Sequence, residues 1–243
     1  MGYVREGFLA AAMTLAVTAA PAGAATMQAV FTGTVYSGYD QTGVFGAPGG
    51  SLGNLGYTLR YVYDTSLGTR VSAGAGTSDD LYGGSAYGPA NPTVSATLTI
   101  GSVTQSVGGS YASRYQLCNI GYCAIDQYYT SAADFTSQPD GGYTYNGFNA
   151  IVSDYTDFLP DNLDTPFSVM ISALAQQYGY FQFATVDGTT QLYTTFANGY
   201  LSLDRLSVSQ VDIAPIPLPA SGLLLLGAGA GLAAIRRKRR RAA

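Results

Sequence analysis

Between Thr26 and Asp212 the chain carries 14 Asp and four Arg (Arg60, Arg70, Arg114 and Arg205), with no Lys and no Glu. A body without Lys and Glu lacks two residues that favour helix on exposed faces. The Tyr, Thr, Val, Ser and Gly that fill it suit pleated strands and turns. The apolar positions agree, because they recur every second residue. Met27, Ala29, Phe31, Gly33 and Val35 share one face, and Tyr57, Leu59, Tyr61 and Tyr63 share another, against Thr58, Arg60, Val62 and Asp64. Val94, Ala96, Leu98 and Ile100 alternate with Ser95, Thr97 and Thr99, and Gly101-Ser102 then turns the chain into a hairpin over 103–107. Further strands are expected over 148–155, 167–174, 180–186, 191–196 and 200–211, with Asp187-Gly188 and Asn198-Gly199 as turns between the last three. Long Gly-rich connections are expected over 38–56 and 72–92. Nine or ten strands without a helical period imply an all-β body over 26–212, an antiparallel β-sandwich of jelly-roll-like form.

Four Arg against 14 Asp leave this body with a net charge of −10. Such a surface repels phosphate backbones, which excludes nucleic acid as a partner. The chain has no His, so Ser-His-Asp and Cys-His nucleophiles, HExxH zinc sites and His proton shuttles are ruled out. Paired Asp is the remaining catalytic option, as an Asp-dependent polysaccharide hydrolase. The aspartic-protease signature fails at Asp64-Thr65-Ser66, Asp164-Thr165-Pro166 and Asp187-Gly188-Thr189. The expectation is therefore a protein without catalytic residues, whose Asp side chains are solvated loop and turn groups. Calcium is the one candidate cofactor, at Asp154, Asp157, Asp161 and Asp164, with Asp79-Asp80 a weaker cluster.

Cys118 and Cys123 enclose four residues and, in an exported protein, should form a disulfide. Tyr128-Tyr129, Tyr143 with Tyr145, and Tyr178 with Tyr180 are near-pairs beside Asn, Gln and Asp. The plain reading is that they fill a half-buried sheet. The functional one is that exposed rings stack on sugar faces.

Both ends read as export signals. Residues 1–25 have a basic start, an apolar stretch from Phe8 to Val17 and small residues around Ala22 to Ala25, the pattern of a cleaved signal peptide. Residues 213–221 are a Pro-rich linker, 222–235 an apolar segment short for a membrane span, and 236–243 a basic tail with Arg236, Arg237, Lys238, Arg239, Arg240 and Arg241. Cations flanking an apolar segment stay on the cytoplasmic side, so the body is expected outside. A simple C-terminal anchor is the alternative reading of the tail.

The order of a Pro-rich motif (Ile216, Pro217, Leu218, Pro219, Ala220), an apolar helix and an Arg cluster resembles the PEP-CTERM family of exported proteins, in its VPLPA-type branch. Ile216 stands where that motif carries Val. The resemblance implies a membrane-embedded exosortase as processing partner, transient residence in the inner membrane, and release to the cell surface or the extracellular matrix, with exopolysaccharide as a candidate partner there. A weaker likeness to such proteins extends over 33–46 and 61–68.

Overall fold

The computed structural model describes residues 25–72, 78–88, 90–171, 174 and 176–211. The expected signal peptide up to residue 24, the linker, the apolar segment and the basic tail lie outside the described residues. Among the described residues no helix is long and apolar enough to cross a membrane.

The chain runs through β1 (Thr26–Asp40), β2 (Gly50–Ser51), β3 (Gly56–Asp64), β4 (Thr69–Ser72), β5 (Ser78–Gly83), β6 (Thr93–Ile100), β7 (Val103–Val107), β8 (Ala112–Cys118), the single-turn α1 (Ile120–Cys123), β9 (Asp126–Ser137), β10 (Tyr143–Asp154), β11 (Phe167–Met170), β12 (Gln176–Val186) and β13 (Tyr193–Gln210). The fold is all-β and antiparallel, as expected. Instead of two sheets, however, the strands form one continuous ladder in the order β4-β5-β8-β9-β10-β12-β13-β1-β3-β6-β7, with β2 beside β1 and β11 beside β13.

Curling of that ladder into a half-barrel makes the core. Only four residues separate the end of β3 from β4, although β4 closes the far edge of the sheet, so the two edges must come round toward each other. The halves then face across an aromatic interior. Tyr63 stacks on Tyr115 at 4.1 Å, Tyr61 meets Phe148 at 5.6 Å, and Phe45 sits between Phe181 and Phe183 at 5.5 and 5.4 Å. Phenols inside an apolar core need partners, and most find them. The Tyr61 hydroxyl donates to the Phe148 carbonyl at 3.1 Å, Tyr63 pairs with Tyr128 at 3.2 Å and Tyr115 pairs with Thr93 at 2.7 Å.

The alternation read from sequence holds in β1 and β3, where Met27, Ala29, Phe31, Val35, Leu59, Tyr61 and Tyr63 are all fully buried. It breaks in β6 at Val94, which is 49% exposed. Val62 pairs with Ser95 and Tyr63 with Thr93, so Val94 is an extra, bulged residue and Thr93 takes the inward position. Asn198-Gly199 is not a turn. Both residues lie inside the continuous β13, Gly199 paired with Gly38 on one side and Phe181 on the other. A Cβ at Gly199 would stand 2.7 Å from the Ser37 carbonyl oxygen and 2.8 Å from the Phe181 ring, so this glycine serves close packing. The Gly101-Ser102 hairpin and the Asp187-Gly188 turn are present as read, with Ile100 paired to Val103 and Asp187 accepting from the Thr189 and Thr190 amides. The 72–92 connection contains a strand, β5, and β1 extends into the 38–56 connection as far as Asp40.

The disulfide between Cys118 and Cys123 is formed, with Cα atoms 5.8 Å apart, and closes the turn that contains α1. Alkylation of the unfolded protein should therefore gain two thiols per chain after reduction. Removing both cysteines should cost little stability, because the loop closed is short; equal labelling with and without reductant would eliminate the bridge.

Candidate binding site

Several described Asp serve turns and loops as expected, Asp64, Asp140, Asp154 and Asp187 each accepting from an amide two residues on, but three are buried. Asp40, Asp79 and Asp126 are 1%, 2% and 0% exposed. A buried carboxylate needs several donors, a cation, or both; backbone amides supply them at Asp40 and Asp126, and an amide with Arg70 does so at Asp79. Asp40 accepts from the amides of Gly43, Val44 and Phe45 at 2.7 to 2.8 Å, which pins Phe45 into the core. Asp126 accepts from Ile120, Phe158 and Leu159, joining the disulfide turn to the 155–165 segment. Asp79 accepts from the Leu163 amide and is gripped by Arg70, whose other amine holds Asp164 at 2.8 Å.

Two of the four candidate calcium ligands have partners within the fold. Asp164 turns to Arg70, and Asp154 accepts from the backbone and hydroxyl of Thr156. Among the described residues no group of three His, Cys, Asp or Glu is placed to hold a metal ion. Asp79 and Asp80 lie in β5 and point apart, Asp80 forming a bidentate pair with Arg114 at 2.9 and 2.6 Å. The sorting-motif residues 216–220 and the cations 236–241 lie outside the described residues.

The outer face of β8, β9, β10 and β12 carries an aromatic groove. In register, Ala112 faces Ala133 and Ala133 faces Gly147, a row of small residues running across three strands. Two residues along each strand the next row is Arg114, Ser131, Asn149 and Tyr180, and beyond it Tyr129 faces Ile151. Rings on either side of the small row leave a groove of about 180 Å³, bounded by Tyr111, Tyr129, Tyr145 and Tyr180, with Ser131 and Asn149 inside. None of the described residues lining it is charged.

Tyr145 lies along its own strand over Gly147. A Cβ at Gly147 would be 2.9 Å from the Tyr145 hydroxyl oxygen and 3.0 Å from the Ala133 Cβ, so a side chain there would lift the ring off the sheet. Tyr180 packs against Tyr200 at 5.3 Å and donates to the Gln182 side chain at 3.0 Å. Burial, and then the nearby Tyr180, push the Tyr145 phenol above its ordinary range; burial also raises Tyr180, partly opposed by Asn198. Both stay neutral at physiological pH; Tyr180 already gives its one proton to Gln182, which leaves the Tyr145 phenol as a donor to a ligand.

Of the near-pairs singled out in the sequence, Tyr128 points into the core while Tyr129 lines the groove with Tyr145 and Tyr180. The small row was not foreseen. Its signal was present in β9, where Tyr128, Thr130 and Ala132 alternate inward, but Thr and Ala dilute the apolar period. Comparison of the chain with family models, with curated proteins and with solved structures returned no match.

Proposed function

We propose that this is an exported, non-catalytic cell-envelope or extracellular-matrix protein that is cut at its C-terminal signal and then holds exopolysaccharide on its outer aromatic face. The groove lined by Tyr129, Tyr145 and Tyr180 is the observation that carries the binding part. The non-catalytic part is supported by the use of the buried carboxylates as acceptors for backbone amides, which ties them to loop geometry. Export fits the meeting of the two ends of the body, where the Val211 amide donates to the Thr26 carbonyl at 2.8 Å. A chain held by a signal peptide before residue 26 and an apolar segment after residue 221 has both ends at the membrane during translocation, and a body whose ends adjoin folds without straining either tether.

In this reading Ile216 to Ala220 is the recognition motif, 222–235 holds the precursor in the inner membrane, and Arg236 to Arg241 keep the tail cytoplasmic. Cutting releases a body of charge −10 that anionic lipid repels. Mass spectrometry of the mature protein from its own host should find a C-terminus near residues 216–222. Replacing Pro217-Leu218-Pro219 by three alanines should trap a longer, membrane-bound form. Mature peptides that reach Ala243 would leave a simple anchor in its place.

A further inference from the structure

The geometry points to one uncharged pyranose unit of a polysaccharide chain as the occupant of the outer groove, laid flat on Tyr145 and flanked by Tyr129 and Tyr180. This rests on the proposed polysaccharide-holding role and narrows it to a chemical class. Size comes first. A volume of about 180 Å³ is small beside the roughly 300–1,000 Å³ of pockets for drug-sized molecules, and suits a single sugar ring with its chain continuing into solvent.

Surface chemistry is the second argument. A pyranose presents an apolar C–H face and a rim of hydroxyls, and the groove offers the complement of both. The Tyr145 ring, whose hydroxyl end lies over Gly147, lines the groove and offers an aromatic surface to the sugar's C–H face. The Asn149 amide, the Ser131 hydroxyl and the Tyr145 phenol provide donors and acceptors at its margin.

Charge decides between neutral and acidic sugars. No described lining residue is charged, and Arg114, which follows Ser131 in the ladder, is already neutralised by Asp80 through two hydrogen bonds. A uronate would enter the groove without a cation to meet it, against the long-range field of a body at −10.

Titration calorimetry on the purified full chain can test this with cellohexaose, mannohexaose and a dextran oligomer as uncharged probes and an alginate hexamer as the acidic one. At least one uncharged probe should bind saturably, and alginate should not. Tyr145→Ala and Tyr180→Ala should each weaken binding about tenfold, the scale of one lost aromatic contact. Tyr36→Ala, at a residue 76% exposed and outside the groove, should leave it unchanged. Circular dichroism should show both groove variants folded. Binding of alginate alone would overturn the uncharged class while leaving the polysaccharide-holding role standing. Binding of an uncharged probe that neither groove variant weakens would overturn the site, and no binding to any probe would overturn the site together with that role.

Discussion

Raising the pH above 10 should unfold this protein cooperatively, within about two pH units of that point. Five tyrosines, Tyr57, Tyr61, Tyr63, Tyr115 and Tyr128, are at most 5% exposed, and burial raises each phenol above its ordinary value of 10.0. Neighbouring groups modify the effect: Asp204 adds to it at Tyr57, whereas the hydrogen bond to Thr93 opposes it at Tyr115. A phenol is neutral when protonated, so a raised folded-state pKa stabilises the fold fully below pH 10. Above that the unfolded chain loses protons that the native state keeps, and stability falls with each further unit of pH. Each such group costs up to about 1.4 kcal/mol per pH unit, so five together cost roughly 7 kcal/mol per unit. That is comparable to the whole stability of a domain, about 5–15 kcal/mol. The part of the tyrosinate absorbance that comes from these five phenols should therefore rise in one steep step together with the loss of far-ultraviolet circular dichroism, separately from that of the exposed tyrosines. Ionisation of all 20 Tyr with the circular dichroism intact would contradict the buried placement of these five.

Asp126→Ala should be among the most damaging single changes outside the aromatic core, lowering stability by about 3–5 kcal/mol. The carboxylate is fully buried and accepts three amides, Ile120 and Phe158 at 2.7 Å and Leu159 at 3.1 Å. Truncation strands all three donors where water is largely excluded, and stranded donors cost more than the bonds themselves contribute. Asp126→Asn should recover only part of the loss, because its amide nitrogen must face a donor. Asp64→Ala provides the contrast, since Asp64 accepts from the amide and hydroxyl of Ser66 at an exposed turn and its removal should cost a small fraction as much. Urea unfolding with an unchanged slope would assign the difference to the folded state. Equal midpoints for Asp126→Ala and Asp64→Ala would show that Asp126 does not tie the disulfide turn to the 155–165 segment.

Local pattern was enough where a residue's role depends on its near neighbours. Strict alternation placed Met27 through Val35 and Tyr57 through Tyr63 inside, the spacing of Cys118 and Cys123 foretold their bond, and the missing Lys and Glu excluded a helical body. What depends on distant partners was hidden. Asn198-Gly199 reads locally as a turn, yet Phe181 and Gly38 hold it in the middle of a strand. Asp126 reads as a surface acid, yet two of its three donors lie more than 30 residues away. Ala112, Ala133 and Gly147 are unremarked small residues until the register of three strands lines them up as the floor of a groove. Strand character, inward faces and covalent closure thus follow from near-neighbour pattern. The single curled ladder, the buried ties at Asp40, Asp79 and Asp126 and the groove shared by outward tyrosines come from long-range pairing, because strand register and amide donors are set by residues far apart in the chain.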